Sequence, residues 1–348
     1  MDLIHPDTKD DVVTALARAS SDGVRVLVVG GRTHIDKGNP SEVDAELWTT
    51  QLDRVVAYEP AEMIAVVEAG IRVGALSELL AEGGQEWPVD APAEATVGGV
   101  IAAGMSSPRR LRVGHVRDTV LQMEVVTGDG RVVRSGARTV KNVTGYDVHK
   151  LFVGSLGTLG VIVRVALKLR PLPAARRRVV LPGGIETGDA ALDAVPSAAA
   201  VVSTPSWTEV LLEGWAEEVA DAGARLTGAG DLAEAHDTGA FPAERTWETM
   251  PVVAEVAVPP SRLAEVVAPF DDGWGALVGA GIAWVGLPSA DGPLSGLRTR
   301  VASLGGIAPV IRGRGGLGRA GVAAGEVQRR IRSAFDPAGV LAPGRGWL

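Results

Sequence analysis

The residues best suited to chemistry in this chain are glycines set where a ligand can approach the backbone. Val29-Gly30-Gly31-Arg32-Thr33-His34 follows a short apolar run at residues 25–29. A strand that empties into a glycine turn presents free backbone N–H groups, a nest for an anion such as a phosphate. A lone Gly-Gly pair is equally a plain tight turn, so company matters. That company is Ala95-Thr96-Val97-Gly98-Gly99, continuing through Ala102, Ala103 and Gly104, and the run from Gly154 to Gly160, Val161 and Ile162. Small side chains in register let a bulky ligand reach a helix backbone; close helix–sheet packing is the alternative reading. Arg109, Arg110 and Arg112 precede Gly114-His115-Val116-Arg117-Asp118. A basic cluster beside a glycine loop suits phosphate or carboxylate, although many such arginines are solvated surface charges. Together the blocks read as a clamp around a large phosphate-bearing cofactor.

The bulk properties fit that reading. The chain has 348 residues, enough for two domains, with 46% hydrophobic and 22% charged residues. A formal charge of −8 argues against a general nucleic-acid binder. There is no cysteine, which excludes disulfides, zinc–thiolate sites and cysteine-ligated iron–sulfur clusters within these residues. The first residues show no basic segment followed by an apolar run, and the apolar stretch at 277–287 is too short to span a bilayer. A cytoplasmic protein is expected, and peripheral attachment to a membrane complex is compatible with this.

The elements that must hold the glycines follow from periodicity. Helices are expected over 7–20, 73–82 and 96–104, and strands over 25–29, 55–58, 64–69 and 159–169. Residues 120–127 and 131–134 form a hairpin around Gly128-Asp129-Gly130. Pro171-Leu172-Pro173, followed by Arg176–Arg178, marks a boundary. Beyond it, strand-like runs at 179–181, 199–203, 252–258, 282–286 and 307–311 alternate with helices near 215–224, 261–270 and 294–304. Loops are expected at 226–239 and 313–325, then a final helix near 324–334. The expected fold class is α+β: domains at 1–173, at 174–325 with an antiparallel sheet, and a returning tail at 326–348.

The order and spacing of five blocks resemble the FAD-binding domain of the vanillyl-alcohol oxidase and p-cresol methylhydroxylase (PCMH-type) flavoprotein superfamily. The blocks are Thr96-Val97-Gly98-Gly99, Gly114 to Asp118, the strand before Gly128-Asp129-Gly130, Lys141-Asn142-Val143-Thr144-Gly145-Tyr146-Asp147, and Gly154 to Ile162. Within it, the glycolate oxidase and D-lactate dehydrogenase branch fits best, and Phe335-Asp336-Pro337…Pro343-Gly344 resembles that branch's C-terminal signature. The resemblance implies a two-part FAD domain followed by a smaller cap. It also implies a flavin redox subunit like the small FAD-binding subunit of glycolate oxidase. Its expected partners are a catalytic flavoprotein and an iron–sulfur subunit, with a small hydroxyacid as candidate substrate. The rival readings are a self-sufficient FAD-dependent oxidase or dehydrogenase, with Arg109 or Arg312 clamping a carboxylate, and a non-catalytic scaffold of the same fold.

Carried over residue by residue, the resemblance puts the pyrophosphate on Gly30, Gly31, Arg32 and Thr33, with Val29, His34, Pro88, Thr96, Ala102 and Ala103 as further cofactor-binding residues. Val97, Gly98 and Gly99 come near the same phosphates or the ribityl chain. The stretch from Gly104 through Ser106 to Ser107 passes the isoalloxazine. Gly114 and Asp118 lie toward the ribityl or adenosine side, and Gly160, Val161 and Ile162 toward the adenine. Gly145 and Tyr146 are candidates for support, and Trp87 reads as core or as a flavin contact. Gly104-Met105-Ser106-Ser107 departs from the family's Asn-Ala-Gly-Gly. His34 sits two residues past the usual covalent-attachment position, so FAD is expected to be non-covalent. Of five histidines, only His236 lies in the cap, too few for a paired ligand set, so no metal site is expected. No residue stands out as a catalytic base.

Overall fold

The computed structural model describes residues 2–138, 146–227, 241–318 and 322–346. The chain forms two compact units, Met1–Met105 with His115–Leu172 and Arg319–Leu348, and Ser106–Gly114 with Pro173–Gly318. The chain therefore passes into the second unit just after Leu172. The short Ser106–Gly114 segment, read from sequence with the FAD half, packs in the second unit instead. Its Arg109 is buried against Glu213, and the Arg112 guanidinium donates to the Ser197 carbonyl at 3.5 Å.

The first unit opens with β1 (Asp2–Ile4), α1 (Lys9–Asp22), β2 (Val26–Val29) and β3 (Ala45–Trp48). These strands make a parallel sheet in the order β1-β3-β2. Helix α1 lies two residues later than its apolar pattern alone suggests. A reciprocal Thr8–Asp11 capping box sets its start, and left-handed Gly23 ends it. Its Val12, Leu16 and Ala19 are buried. Next come β4 (Val55–Glu59), β5 (Ile64–Glu68), α2 (Val73–Glu82), β6 (Gln85–Glu86), α3 (Val97–Ala103) and the short α4 (Arg110–Val113) of the second unit. They are followed by β7 (Val120–Val126), β8 (Val132–Gly136), β9 (Val161–Lys168) and β10 (Arg170–Pro171). An antiparallel sheet runs β4-β5-β9-β7-β8, and its inner face meets α2 and α3 through Leu76, Leu80, Val100 and Ile101. Trp87 is core: it is buried, and its indole N–H donates to Thr119 Oγ1 at 2.9 Å.

The second unit is one seven-stranded antiparallel sheet. Its elements are β11 (Ala175–Pro182), α5 (Ile185–Ala194), β12 (Ala200–Ser203), β13 (Trp207–Gly214), α6 (Ala216–Thr227), β14 (Val252–Ala257), α7 (Leu263–Val267), β15 (Trp274–Leu277), β16 (Ile282–Leu287), α8 (Pro293–Ser303) and β17 (Val310–Arg312). The strand order is β11-β13-β12-β15-β16-β14-β17. Strict alternation sorts the side chains. Val201, Val210, Val252, Ala254 and Val256 face the packed helices, while Val202, Leu211, Val253, Leu277 and Trp284 face the other way. The expected strand at 307–311 forms later, as β17, because Ile307 makes only an isolated bridge to Ala257. The helix expected over 261–270 shortens to α7, since Pro260 starts a single 3-10 turn first. The last helix, α9 (Val322–Phe335), returns to the first unit.

Candidate cofactor-binding site

A cleft in the first unit is lined by Val28, Val29, Gly30, Gly31, Arg32, Thr33, His34, Ile35, Gly99, Ala102, Ala103, Leu156 and Arg345. Strand β2 delivers the turn to it, and α3 supplies the opposite wall. The turn seats directly on the segment before α3. A Cβ on Gly30 would come within 2.1 Å of Thr96 Oγ1, and one on Gly31 within 2.2 Å of the Glu94 carbonyl oxygen. These two glycines therefore serve the join between the two motifs. Gly99 is different, since an added Cβ there meets only Thr96 Oγ1 at 2.9 Å.

The turn offers donors. Among the described residues, no backbone carbonyl accepts from the N–H groups of Gly30, Gly31, Arg32, Thr33 or His34. The chain closes on itself only afterwards, with Ile35 N–H on the Arg32 carbonyl at 3.3 Å and Lys37 N–H on that of His34 at 3.1 Å. A run of unengaged N–H groups is what an anionic oxygen needs, so the residues fit a pyrophosphate. Arg32 holds a left-handed conformation, φ 58°, and its side chain points into a local neutral pair. The guanidinium donates to both carboxylate oxygens of buried Glu46 at 2.9 and 3.0 Å and lies over Trp48. Its backbone, rather than its charge, is thus free for a ligand.

Helix α3 is used otherwise than its sequence suggests. The N–H groups of Val97 and Gly98 donate to the carbonyls of Ile71 and Ala69, at 3.0 and 2.7 Å, and that of Gly99 to Thr96 Oγ1 at 3.1 Å. The helix start is satisfied within the protein, so its contribution to the cleft is the small-residue wall of Gly99, Ala102 and Ala103. At its other end, left-handed Gly104 lies against Gly154, and the Ile101 and Ala102 carbonyls accept from Gly154 and Leu156 at 3.1 and 2.9 Å. This brings Leu156, from the third glycine block, to the cleft wall.

Sequence reasoning missed Arg345. The tail after α9 lays it beside the turn, where its guanidinium donates to the Ile35 and Lys37 carbonyls at 2.6 and 2.8 Å. Burial lowers its pKa, with Asp36 opposing. Asn39 fastens the same segment through N–H to the Arg345 carbonyl at 2.9 Å and its amide to that of Gly346 at 2.7 Å. The one available signal was the charged residue directly after Pro343-Gly344. His34 is largely enclosed. Burial, then the nearby Lys37 charge, pushes its pKa down, and Nδ1 lies 2.9 Å from Thr33 Oγ1.

The other expected residues lie elsewhere. Pro88 and Thr96 are buried off the cleft wall. Val161 and Ile162 follow Gly160 into β9 and pair with Val126 and Val125 of β7. The Asp118 carboxylate caps its own 3-10 turn by accepting from His115 N–H at 3.2 Å. Ser106, Ser107 and Gly114 belong to the second unit. There Ser106 Oγ accepts from Arg110 at 3.1 Å and Ser107 Oγ from Arg109 N–H at 3.2 Å. Lys141 to Gly145 and His236 lie outside the described residues, and Tyr146 is almost fully exposed. Among the described residues, no group of three or more histidines and carboxylates stands close enough to hold a metal.

Comparison with known proteins agrees with this geometry. Residues 3–136 match the family described as FAD binding domain. The chain is 34% identical over 173 residues to glycolate oxidase subunit GlcE of Escherichia coli (strain K12), covering 49% of each chain. It is 33% identical over 177 residues to the mitochondrial cytochrome-type D-lactate dehydrogenase of Arabidopsis thaliana, covering 49% of this chain and 30% of that one. The matched segments thus span half or less of these relatives. Among solved structures, alkyldihydroxyacetonephosphate synthase aligns over 98% of this chain and 76% of its own, with TM-score 0.72 at 15% identity, a likeness of fold. Residues 3–136, which hold the glycine turn and the small-residue wall of α3, thus match a FAD binding domain.

Proposed function

We propose that the protein is a FAD-dependent oxidoreductase acting in 2-hydroxyacid oxidation, as the FAD-binding redox subunit of a glycolate-oxidase-like assembly. The observation that carries this is the run of unengaged N–H groups from Gly30 to His34, facing the small-residue wall of α3 in a segment related to GlcE. Bound FAD supplies a two-electron acceptor; the chain supplies binding, orientation and electrostatics. The turn N–H groups take the pyrophosphate, Gly99, Ala102 and Ala103 permit close approach, and Leu156 excludes water. The cofactor is held non-covalently. His34 is engaged with Thr33.

The relative's printed name as a subunit supports a multi-subunit assembly. These residues contain no cysteine, so an iron–sulfur relay belongs to another chain. Among the described residues no helix is long and apolar enough to cross a membrane. A cytoplasmic location, with peripheral attachment through partners, is part of the same proposal. A substrate clamp by either arginine is not favoured. Arg109 is buried with Glu213, and the Arg312 guanidinium donates to the carbonyls of Glu248 and Met250.

The test is the visible spectrum of the purified chain, followed by anaerobic glycolate and D-lactate. Flavin bands that persist with either acid, and bleach once the partner subunits are added, support the relay subunit. Bleaching by the chain alone makes it a self-sufficient dehydrogenase. A chain that gains no flavin bands when incubated with FAD is a scaffold, and the proposal falls.

A further inference from the structure

Among the described residues, Lys37 is a buried cation with no carboxylate in salt-bridge contact. It is 8% exposed, yet the hydrogen bond of its ammonium among the described residues is to Met105 Sδ, at 3.3 Å. A thioether is neutral and a weak acceptor. Enclosing an ammonium without an anion is strongly unfavourable, so such a group is retained where something else supplies the charge.

The ammonium is also pre-positioned. Lys37 N–H bonds the His34 carbonyl, and the Lys37 carbonyl accepts from Arg345 at 2.8 Å. Gly38 beside it packs against Arg345 and Leu156. Its neighbours His34 and Ile35, and Arg345 itself, line the cleft. Its charge is felt there, because it helps to push down the His34 pKa.

We infer that the Lys37 ammonium is the ion-pair partner of an anionic oxygen of the bound cofactor, an inference that rests on the FAD reading above. Two parts of FAD offer such an oxygen: the pyrophosphate, anionic in every redox state, and the C2 carbonyl edge of the flavin ring, a dipolar acceptor when oxidised that takes up negative charge only on reduction.

The test is calorimetric titration of the flavin-stripped full chain with FAD, ADP and riboflavin, for wild type, Lys37→Met and Lys37→Arg. Lys37→Met keeps the length and removes the charge. The expected result is a Lys37→Met chain that melts at or above the wild-type temperature and binds FAD at least tenfold more weakly, with Lys37→Arg near wild type. A parallel loss for ADP assigns the pyrophosphate; a loss for riboflavin with ADP unchanged assigns the ring. Lys37→Met that binds all three like wild type overturns the inference and leaves the FAD reading standing. So does a Lys37→Met chain that fails to fold without flavin, because the ammonium then serves the apo fold. A wild-type chain that binds no FAD overturns both.

Discussion

Buried cations are treated in opposite ways in the two units. In the second, the buried Arg109 and Arg178 each meet a buried carboxylate of β13: Arg109 meets Glu213 at 3.4 Å, where the more exposed Arg176 of β11 joins at 2.7 Å, and Arg178 meets Glu209. In the first, Lys37 has a methionine sulfur, and Arg345 has two backbone carbonyls. One set is neutralised within the sheet and needs nothing further. The other leaves positive charge around a run of free N–H groups. Buried charge alone therefore does not mark a site; what distinguishes the first unit is a buried cation without a carboxylate close to a run of free N–H groups.

The comparison breaks first at Arg178. Its guanidinium is the counter-ion of Glu209, whose other oxygen accepts from Ala243 N–H at 2.9 Å. Arg178→Met strands that carboxylate and is expected to cost about 3–5 kcal/mol in urea unfolding. Arg178→Met with Glu209→Leu should recover most of the loss, because removing both partners leaves no buried charge. A single variant as stable as wild type would mean that the β11–β13 pairs are not internal counter-ions.

Gly31→Ala comes next. Its Cβ would meet the Glu94 carbonyl oxygen at 2.2 Å and Ala95 Cα at 3.1 Å, both backbone, so neither can swing aside. The expected loss is about 3 kcal/mol of stability, with weaker FAD binding. If stability falls and affinity for FAD does not, the turn is a joint and not a cradle.

These two sites also show what was legible in the sequence. The glycine blocks were readable because each imposes a local backbone demand: a turn at Gly30-Gly31, a cap at Gly104, a hairpin at Gly128 to Gly130. What could not be read was their partnership with distant residues. Leu156 and Arg345 reach the cleft through tertiary packing, and Lys37 sits in a stretch with no periodicity. Two of the missed strands share a physical cause. Strand β3 carries buried Glu46, and β13 carries buried Glu209 and Glu213, so their hydrophobic alternation is interrupted by carboxylates whose arginine partners lie on other segments. Helix α5 escaped notice because no side chain caps its start at Gly184. Conversely, the start of α3 looked like an anion site, yet its N–H groups are engaged by Ile71 and Ala69.

Glu255 sharpens the contrast from the other side. It lies in β14, 8% exposed, between Val253 and Ala257, and its Oε2 has no hydrogen-bond partner among the described residues. It is the second unit's exception to neutralisation. Glu255→Met should raise stability by about 1 kcal/mol, since it removes a buried acceptor that nothing satisfies. A fall of the same size would show that the carboxylate has a partner and that the second unit is neutralised throughout.

The smallest effect is a pH dependence at His34. Its pKa lies below the ordinary 6.5 because of burial and the Lys37 charge. A histidine that binds its proton less well folded than unfolded favours folding at high pH. Stability is therefore lost as pH falls through about 6.5 and the loss is complete below the lowered folded value. His149 shifts the same way from burial, so the comparison needed is wild type against His34→Gln, in which His149 is common to both. Urea midpoints from pH 8 to pH 5 should fall more steeply for wild type. Saturating ADP provides the decisive arm. If a pyrophosphate settles among Lys37, Arg345 and the turn, its negative charge opposes the Lys37 effect on His34, and the extra slope of wild type should shrink. A slope unchanged by ADP would place the phosphates away from His34 and leave Lys37 without its proposed anion.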